Sequence, residues 1–166
     1  MRVLGIDPGS QTTGYGVLEE KENSFQVLTW GVIRTRADQS LPEKLNEIRL
    51  GISFILDRYS PEEVAIENPF YARNIKTAIT LGQVRGAILV AVASHGCPLY
   101  EYSPREIKKA VTGYGQAEKA QVMAMVKALF HLQEMELAPD ASDALAVAFC
   151  HLNHRQTRLN LEKNWL

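Results

Sequence analysis

The order of apolar and polar positions predicts a chain in which short strands alternate with helices. Runs of β-branched and aromatic residues, bounded by turn residues, are typical of strands. Five such runs lie at residues 2–6, 14–18, 25–35, 63–67 and 98–102. Apolar positions at helical spacing and helix-start patterns predict helices at residues 41–59, 74–95, 103–112, 118–132 and 139–149. Three strands followed by alternating helices and strands indicate an α/β domain with a mixed five-stranded sheet flanked by helices.

Length and composition are those of an ordinary soluble globular protein. The 166 residues are 46% hydrophobic and 22% charged, which suits one domain with a real core. We expect that domain at residues 1–154, followed by a flexible tail at residues 155–166, where the pattern fades. The net charge of -1 gives no global attraction to nucleic acid, so any such binding requires a local basic surface.

The sequence predicts a protein of the reducing cytoplasm that does not bind membranes. The N-terminus does not resemble a signal peptide, and no apolar stretch of membrane-spanning length is free of charged residues. Cys97 and Cys150 are too few and too isolated for a disulfide framework.

The predicted helix at residues 74–95 is apolar around more of its circumference than a one-sided surface helix requires. Gly82 and Gly86 lie within it and would permit close approach of another backbone. We therefore expect a second buried face on this helix, packed against a twin subunit.

Two of the predicted strands end in a carboxylate. Asp7 follows the first strand, and Glu67 ends the fourth. A carboxylate at the end of a buried strand is costly unless it has a partner, and a metal ion is one such partner. The alternatives are an Asx turn in which Asp7 accepts from the amides of Gly9 and Ser10, and a solvated strand end for Glu67.

Two further acids, Asp140 and Asp143, lie three residues apart at the start of the last predicted helix. That spacing places both on nearly the same face, and it is also typical of a helix cap. If the strands that end in Asp7 and Glu67 are neighbours, all four carboxylates can meet at one edge of the sheet. Proteins retain such mutually repelling clusters mainly to bind hard divalent cations such as Mg²⁺. Two such ions about 3.5–4 Å apart activate water and stabilise the leaving oxygen of a phosphodiester.

Cationic and aromatic residues that suit a phosphodiester substrate lie between residues 70 and 130. The candidate DNA contacts are Phe70, Tyr71, Arg73, Lys76, Lys108, Lys109 and Lys119. Lys108 and Lys119 flank a glycine loop whose amides also suit phosphate, and the two aromatic rings suit stacking on unpaired bases. Each feature has a structural alternative: a solvated helical face for the lysines, a helix stop for the glycines and core packing for the rings. The Cys and His residues at 150–154 have ligand chemistry, but without a second cluster they favour a structural helix end over a zinc site.

Several motifs occur in a fixed order along the chain. They are Gly5-Ile-Asp-Pro-Gly-Ser10 with Thr13-Gly-Tyr-Gly-Val17, then Ala65-Ile-Glu67, then Gly113-Tyr-Gly-Gln-Ala-Glu-Lys119, then Asp140-Ala-Ser-Asp-Ala-Leu-Ala146. As a set they closely resemble the RuvC family of bacterial Holliday-junction resolvases, and the resemblance runs from residue 2 to about residue 154. The first motif alone is shared with actin-like proteins and sugar kinases.

This resemblance implies a ribonuclease H-like fold, a homodimer and Mg²⁺-dependent nicking of two like-polarity strands of a four-way junction during recombination and repair. It carries the family's catalytic acids onto Asp7, Glu67, Asp140 and Asp143, its active-site lysines onto Lys108 and Lys119, and its junction-contacting aromatic residue onto Phe70. Two Mg²⁺ ions per site, with Mn²⁺ as a substitute, are expected. The RuvA and RuvB branch-migration proteins are implied as partners by the family alone.

The sequence therefore predicts a structure-selective DNA endonuclease whose products carry 5′-phosphate and 3′-hydroxyl ends. An RNA-directed hydrolase of the same fold is an alternative, because the acids do not report the sugar. An actin-like nucleotide-binding module would need a second phosphate-binding hairpin and a duplicated domain, for which the chain is too short. A purely structural dimerisation module would leave the four acids without a role.

Overall fold

A five-stranded sheet forms the centre of the computed structural model, which describes residues 1–22, 24–68 and 74–163. The strands are β1 (Arg2–Asp7), β2 (Thr12–Lys21), β3 (Ser24–Arg34), β4 (Glu63–Glu67) and β5 (Leu99–Tyr102). The helices are α1 (Leu41–Tyr59), α2 (Ile75–Ser94), α3 (Pro104–Thr112), α4 (Lys119–Leu129) and α5 (Pro139–Lys163). The strand order is β3-β2-β1-β4-β5, with β1, β2 and β3 antiparallel and β1, β4 and β5 parallel. The predicted mixed α/β sheet is confirmed.

Both faces of the central strands are covered, which explains why β1 and β4 are nearly continuous apolar runs. Leu4 and Ile6 pack in a core with α1 and α2, whereas Val3 packs in a second core with α3, α4 and α5. In β4, Ile66 packs in the core with α1 and α2, and Ala65 packs in the core with α3, α4 and α5. Because β1 and β4 are buried from both sides, their carboxyl ends form a rigid edge.

The last helix is longer than the sequence pattern indicated. A tail was expected from residue 155, but α5 continues to Lys163. Polar contacts to β2 hold this part of the helix: Nη1 of Arg155 donates to the Glu20 carboxylate at 3.4 Å, and Nε2 of Gln156 donates to it at 3.1 Å. These contacts come from a distant strand, so the local apolar pattern could not reveal them.

Helix α2 has an unusual composition for a surface helix. Of the helices in the described part of the chain, it alone reaches the length and hydropathy of a membrane-spanning helix, and only 22% of the qualifying stretch is buried. Its Arg85 nevertheless binds to the sheet: Nη1 donates to the carbonyl oxygen of Glu67 at 2.6 Å, and Nη2 donates to Glu101 at 2.8 Å. These contacts attach α2 to the domain.

Candidate active site

The register of β1 and β4 brings Asp7 and Glu67 to the same edge of the sheet. The strands are parallel neighbours, with Ile6 beside Ile66, and the acid is the next residue in each strand. The two carboxyl groups are hydrogen-bonded to each other. The expected adjacency of these two strands is therefore confirmed.

The first turns of α5 reach this edge because glycines in β1 and β2 leave room for the helix backbone. A Cβ atom at Gly14 would lie 1.9 Å from the carbonyl oxygen of Asp140, and one at Gly5 would lie 2.1 Å from that of Ala144. The close approach places Asp140 and Asp143 near enough to raise the pKa of Asp7. These two glycines were not among the predicted site residues. Glycine inside a strand, which marks close approach of another backbone, was the available signal.

Local capping does not account for the acids. Pro139 is the first residue of α5, so Asp140 lies inside the helix and not at its N-cap. In the β1–β2 turn, the amide of Gly9 donates to Oγ1 of Thr13 at 3.4 Å, and that hydroxyl donates to the Gly9 carbonyl at 2.8 Å. Among the residues that the structure describes, neither Asp7 nor Asp140 accepts a hydrogen bond from a backbone amide. Both carboxylates thus remain available for other partners.

The acids perturb one another strongly because they share a buried space. Burial raises the pKa of Asp7 to about 8, with further contributions from Glu67, Asp143 and Asp140. Burial also raises the pKa of Glu67, while its hydrogen bond with Asp7 and the nearby lysine charges lower it. At neutral pH the proton therefore resides on Asp7, which donates to Glu67. Repulsion among the carboxylates thus adds to burial in favouring the protonated form of Asp7.

Two lysines face the acids across a cavity of about 400 Å³, lined by Lys108 and Lys119 together with Glu67 and Asp143. Nζ of Lys119 donates to Oδ2 of Asp143 at 3.2 Å. The Lys119 side chain is 84% exposed and that of Asp143 23%, so the ammonium group stands at the mouth of the cavity. The charge of Asp143 raises the pKa of Lys119 and so keeps it protonated. The structure thus brings both predicted active-site lysines to the acids.

Arg85 helps to build the site, although it was not among the predicted site residues. Its side chain is 15% exposed, and its guanidinium spans from the Glu67 carbonyl to the Glu101 carboxylate, which also accepts from Nδ2 of Asn68 at 2.9 Å. These bonds hold the end of β4 where the Glu67 side chain begins. The role depends on β5 lying beside β4, so no local sequence signal could have identified it.

Other predicted site residues lie apart from the acids or outside the described ranges. Lys109 lines different cavities on α3, and Lys76 is exposed in the first turn of α2. The predicted DNA contacts Phe70, Tyr71 and Arg73 lie outside the described residues.

Cys150 and His151 are structural, as the simpler interpretation held. The ring of His151 is buried and hydrogen-bonds to the Tyr102 hydroxyl at 2.8 Å and to the Glu63 carboxylate at 2.5 Å. Burial raises the pKa of Cys150 to about 12, which disfavours the thiolate that a zinc site needs.

The carboxylates fit a hard divalent cation in chemistry. Across residues 1–22, 24–68 and 74–163, no three acidic, His or Cys side chains converge tightly enough to enclose an ion as they stand. The donor set is nevertheless oxygen-only and comes from three separate elements, and repulsion among its carboxylates adds to burial in raising the pKa of Asp7. A cation among these carboxylates would replace the proton that Asp7 holds.

Fold and site together define an α/β nuclease of the ribonuclease H-like class, with carboxylates at the end of a central parallel strand pair. The sequence profile of the family described as crossover junction endodeoxyribonuclease RuvC matches residues 3–151. The chain belongs to the RuvC family.

Individual relatives support the same assignment over nearly the whole chain. The crossover junction endodeoxyribonuclease RuvC of Petrotoga mobilis is 44% identical over 160 residues, which cover 96% of this chain and 98% of the relative. That of Caldanaerobacter subterraneus subsp. tengcongensis is 50% identical over 151 residues, which cover 91% and 92% of the two chains. The solved structure of T. thermophilus RuvC in complex with a Holliday junction substrate matches with a TM-score of 0.89 at 34% identity, covering 95% of this chain and 96% of that one.

Proposed function

We propose that this chain is a structure-selective endonuclease that resolves Holliday junctions by nicking two symmetric strands, leaving 5′-phosphate and 3′-hydroxyl ends. The observation that carries the proposal is the meeting of Asp7, Glu67 and Asp143 beside Lys119 at one edge of the sheet, in a chain of the RuvC family. Recombination and DNA repair are the processes in which such junctions arise.

The family is one of divalent-metal-dependent nucleases, and we assign the metal to Mg²⁺, with two ions in each site. Asp7, Glu67, Asp140 and Asp143 would hold them, and Mn²⁺ would substitute because it takes the same oxygen ligands. When bound, such ions activate water and stabilise the leaving oxygen of a phosphodiester. The protein's part is to fix the carboxylates: β1 and β4 are buried from both sides, and α5 rests on glycines.

Lys119 and Lys108 would act on the phosphate group of the substrate. The exposed ammonium of Lys119 lies 3.2 Å from the Asp143 carboxylate, so a phosphate bound over the acids would come within its reach. A positioned positive charge has its largest effect where negative charge develops during the reaction. We therefore assign Lys119 to the catalytic set and Lys108 to phosphate binding.

An enzyme that selects branched DNA needs contacts that a duplex does not offer. Phe70 lies three residues after Glu67 in the sequence, and we propose that its ring stacks on an unpaired base at the crossover, a contact worth about 1–3 kcal/mol. Tyr71, Arg73, Lys76 and Lys109 remain proposed DNA contacts.

A homodimer would present two matching sites to the two symmetric scissile phosphates. Large apolar side chains stand exposed on α1 and α2: Leu50, Phe54, Ile75, Ile79, Leu89 and Val90. Among the described residues, and apart from the backbone of α2 itself, no heavy atom lies within 4 Å of a Cβ atom built at Gly82 or Gly86, so another helix could approach closely there. We propose that this surface forms the dimer interface, and that the dimer works in the cytoplasm with the RuvA and RuvB branch-migration proteins.

The decisive experiment is cleavage of a synthetic four-way junction in Mg²⁺, beside duplex, single-stranded and RNA–DNA hybrid controls. We expect symmetric nicks in the junction alone, and their loss in Asp7→Asn, Glu67→Gln, Asp140→Asn and Asp143→Asn, with junction binding retained or tighter. Removing a carboxylate charge weakens metal binding but also reduces repulsion toward phosphate. Preferential cleavage of the hybrid would instead identify an RNA-directed enzyme.

A further inference from the structure

A second cationic surface lies on the side of α3 that faces away from the acids. One cavity there, of about 480 Å³, is lined by Arg105, Lys109 and the glycine loop. The next, of about 430 Å³, is lined by Lys109, His154 and Arg158 where α3 crosses α5. Glu106 and Lys109 belong to both walls, so the two cavities adjoin. We call this surface the α3–α5 groove and define it by Arg105, Glu106, Lys109, His154 and Arg158.

In the part of the chain that the structure describes, the cations of the α3–α5 groove form no ion pairs. Within the described ranges, no carboxylate oxygen lies within 4.0 Å of a charged nitrogen of Arg105, Lys109 or Arg158. The guanidinium of Arg158 lies 5.5 Å above the ring centroid of Tyr100, which fixes its position.

The acid in the groove is already engaged elsewhere. The Glu106 carboxylate accepts from the amide of Ser103 at 2.8 Å and from its hydroxyl at 2.6 Å, so its charge is directed to the N-terminus of α3. The groove therefore presents positive charge that lacks a counterion among the described residues.

The groove lies close to the catalytic cavity. Lys108 lines that cavity, whereas the next residue, Lys109, lines the groove. Because a helix with its side chains is about 10–12 Å across, the groove lies roughly 10 Å from the acids' cavity. With one phosphate per 3.4 Å of each strand, that distance spans about three base pairs of a duplex.

We propose that the α3–α5 groove binds the phosphate backbone of the junction arm that leaves the catalytic cavity. The inference rests on the proposed junction-cleaving function. Exposed guanidinium and ammonium groups suit phosphate oxygens, and their separation from the acids matches a phosphate a few base pairs from the cut. The groove adds affinity and fixes the direction of the arm.

The test is the salt dependence of junction binding, measured in EDTA so that it does not depend on cleavage. We expect the double variant Lys109→Gln/Arg158→Gln to lower affinity and to reduce the slope of log K against log salt by about 0.9 for each lost contact. The matched control is Lys21→Gln/Arg58→Gln, which also removes one lysine and one arginine that stacks on a tyrosine, Tyr59 at 5.9 Å. The control cations lie near Arg2, at the opposite end of β1 from Asp7. The control should bind as wild type does.

A second measurement locates the contact on the DNA. Methylphosphonate linkages, which lack the phosphate charge, are placed about two to five base pairs from the scissile phosphate, on both sides of the roughly three base pairs that the helix diameter gives. They should weaken binding by the wild type but not further weaken binding by the double variant, because both changes remove the same contact.

A double variant with wild-type affinity and slope would overturn the proposal and leave the groove to an acidic protein partner. The proposal would also be overturned if the losses of affinity caused by the methylphosphonate linkages and by the double variant were additive. A wild type that binds but does not cleave the junction would reject the proposed function and leave the groove result standing.

Discussion

Gly14→Ala adds a single methyl group, which should move the α5 acids of the active site away from the acids on the sheet. The added Cβ would lie 1.9 Å from the carbonyl oxygen of Asp140, where about 3.0 Å is the closest real approach. The clash is between the backbone of α5 and β2, a strand that is paired with β1 and with β3. No side-chain rotation can relieve it. The first turns of α5 must therefore move away from β2 by roughly 1 Å, since the packed interior transmits the strain.

The displacement should affect catalysis more than folding. Overpacking of this kind costs about 1–3 kcal/mol, which lowers the melting temperature of a chain of this size by roughly 2–12 °C. The carboxylates of Asp140 and Asp143 move with α5 while Asp7 and Glu67 stay on the sheet. A misplacement of about 1 Å at a reacting centre can cost about 100-fold in rate. We therefore expect cleavage to fall by about 100-fold in a variant that is still folded.

Gly16→Ala is the matched control in the same strand. Its Cβ would lie 2.6 Å from Cδ2 of Leu145 and 3.2 Å from the Leu145 amide nitrogen, so the main obstacle is a side-chain end, which can rearrange where backbone cannot. Single-turnover cleavage of a four-way junction and thermal melting are measured for both variants. Gly14→Ala with near wild-type cleavage would refute the reasoning, as would equal losses in the two variants.

Three further predictions follow from the acids, the lysine and the exposed helix. In metal-free protein, Asp7→Asn should be more stable than wild type by a margin that grows from pH 5 to pH 8. The pKa of Asp7 is about 8 in the folded protein and 3.8 ordinarily, so the stability of the wild type falls as pH rises. A margin in thermal melts that does not change with pH would contradict this. Lys119→Ala should lower the cleavage rate by more than it weakens junction binding, and a loss confined to affinity and its salt dependence would make Lys119 an ordinary backbone contact. Light scattering should give about twice the chain mass of 18.6 kDa for wild type and a weakened dimer for Gly86→Leu, whereas a monomeric wild type at micromolar concentration would reject the interface on α2.

The sequence pattern identified features whose causes are local. Capping boxes at Ser40 and Ser103 begin α1 and α3, and both are recognisable in the sequence because each needs only residues within one helical turn. Strands β1 and β4 were recognisable because burial on both faces demands a continuous apolar run. The end of α5 was not recognisable, since the polar bonds of Arg155 and Gln156 reach a distant strand.

By itself, the sequence determined the alternation of strands and helices, the carboxylate at the end of each central strand and the motifs that mark the RuvC family. Only the tertiary structure decided that Asp7 and Glu67 share a proton, because the pKa of each depends on burial and on charges brought from other elements. It also decided which cations face the acids: Lys108 and Lys119 line their cavity, while Lys109, one position along α3, lines another. Periodicity gives the faces of a helix but not what each face meets. That depends on the backbone approach permitted by Gly5 and Gly14, and such contacts form between residues far apart in the chain.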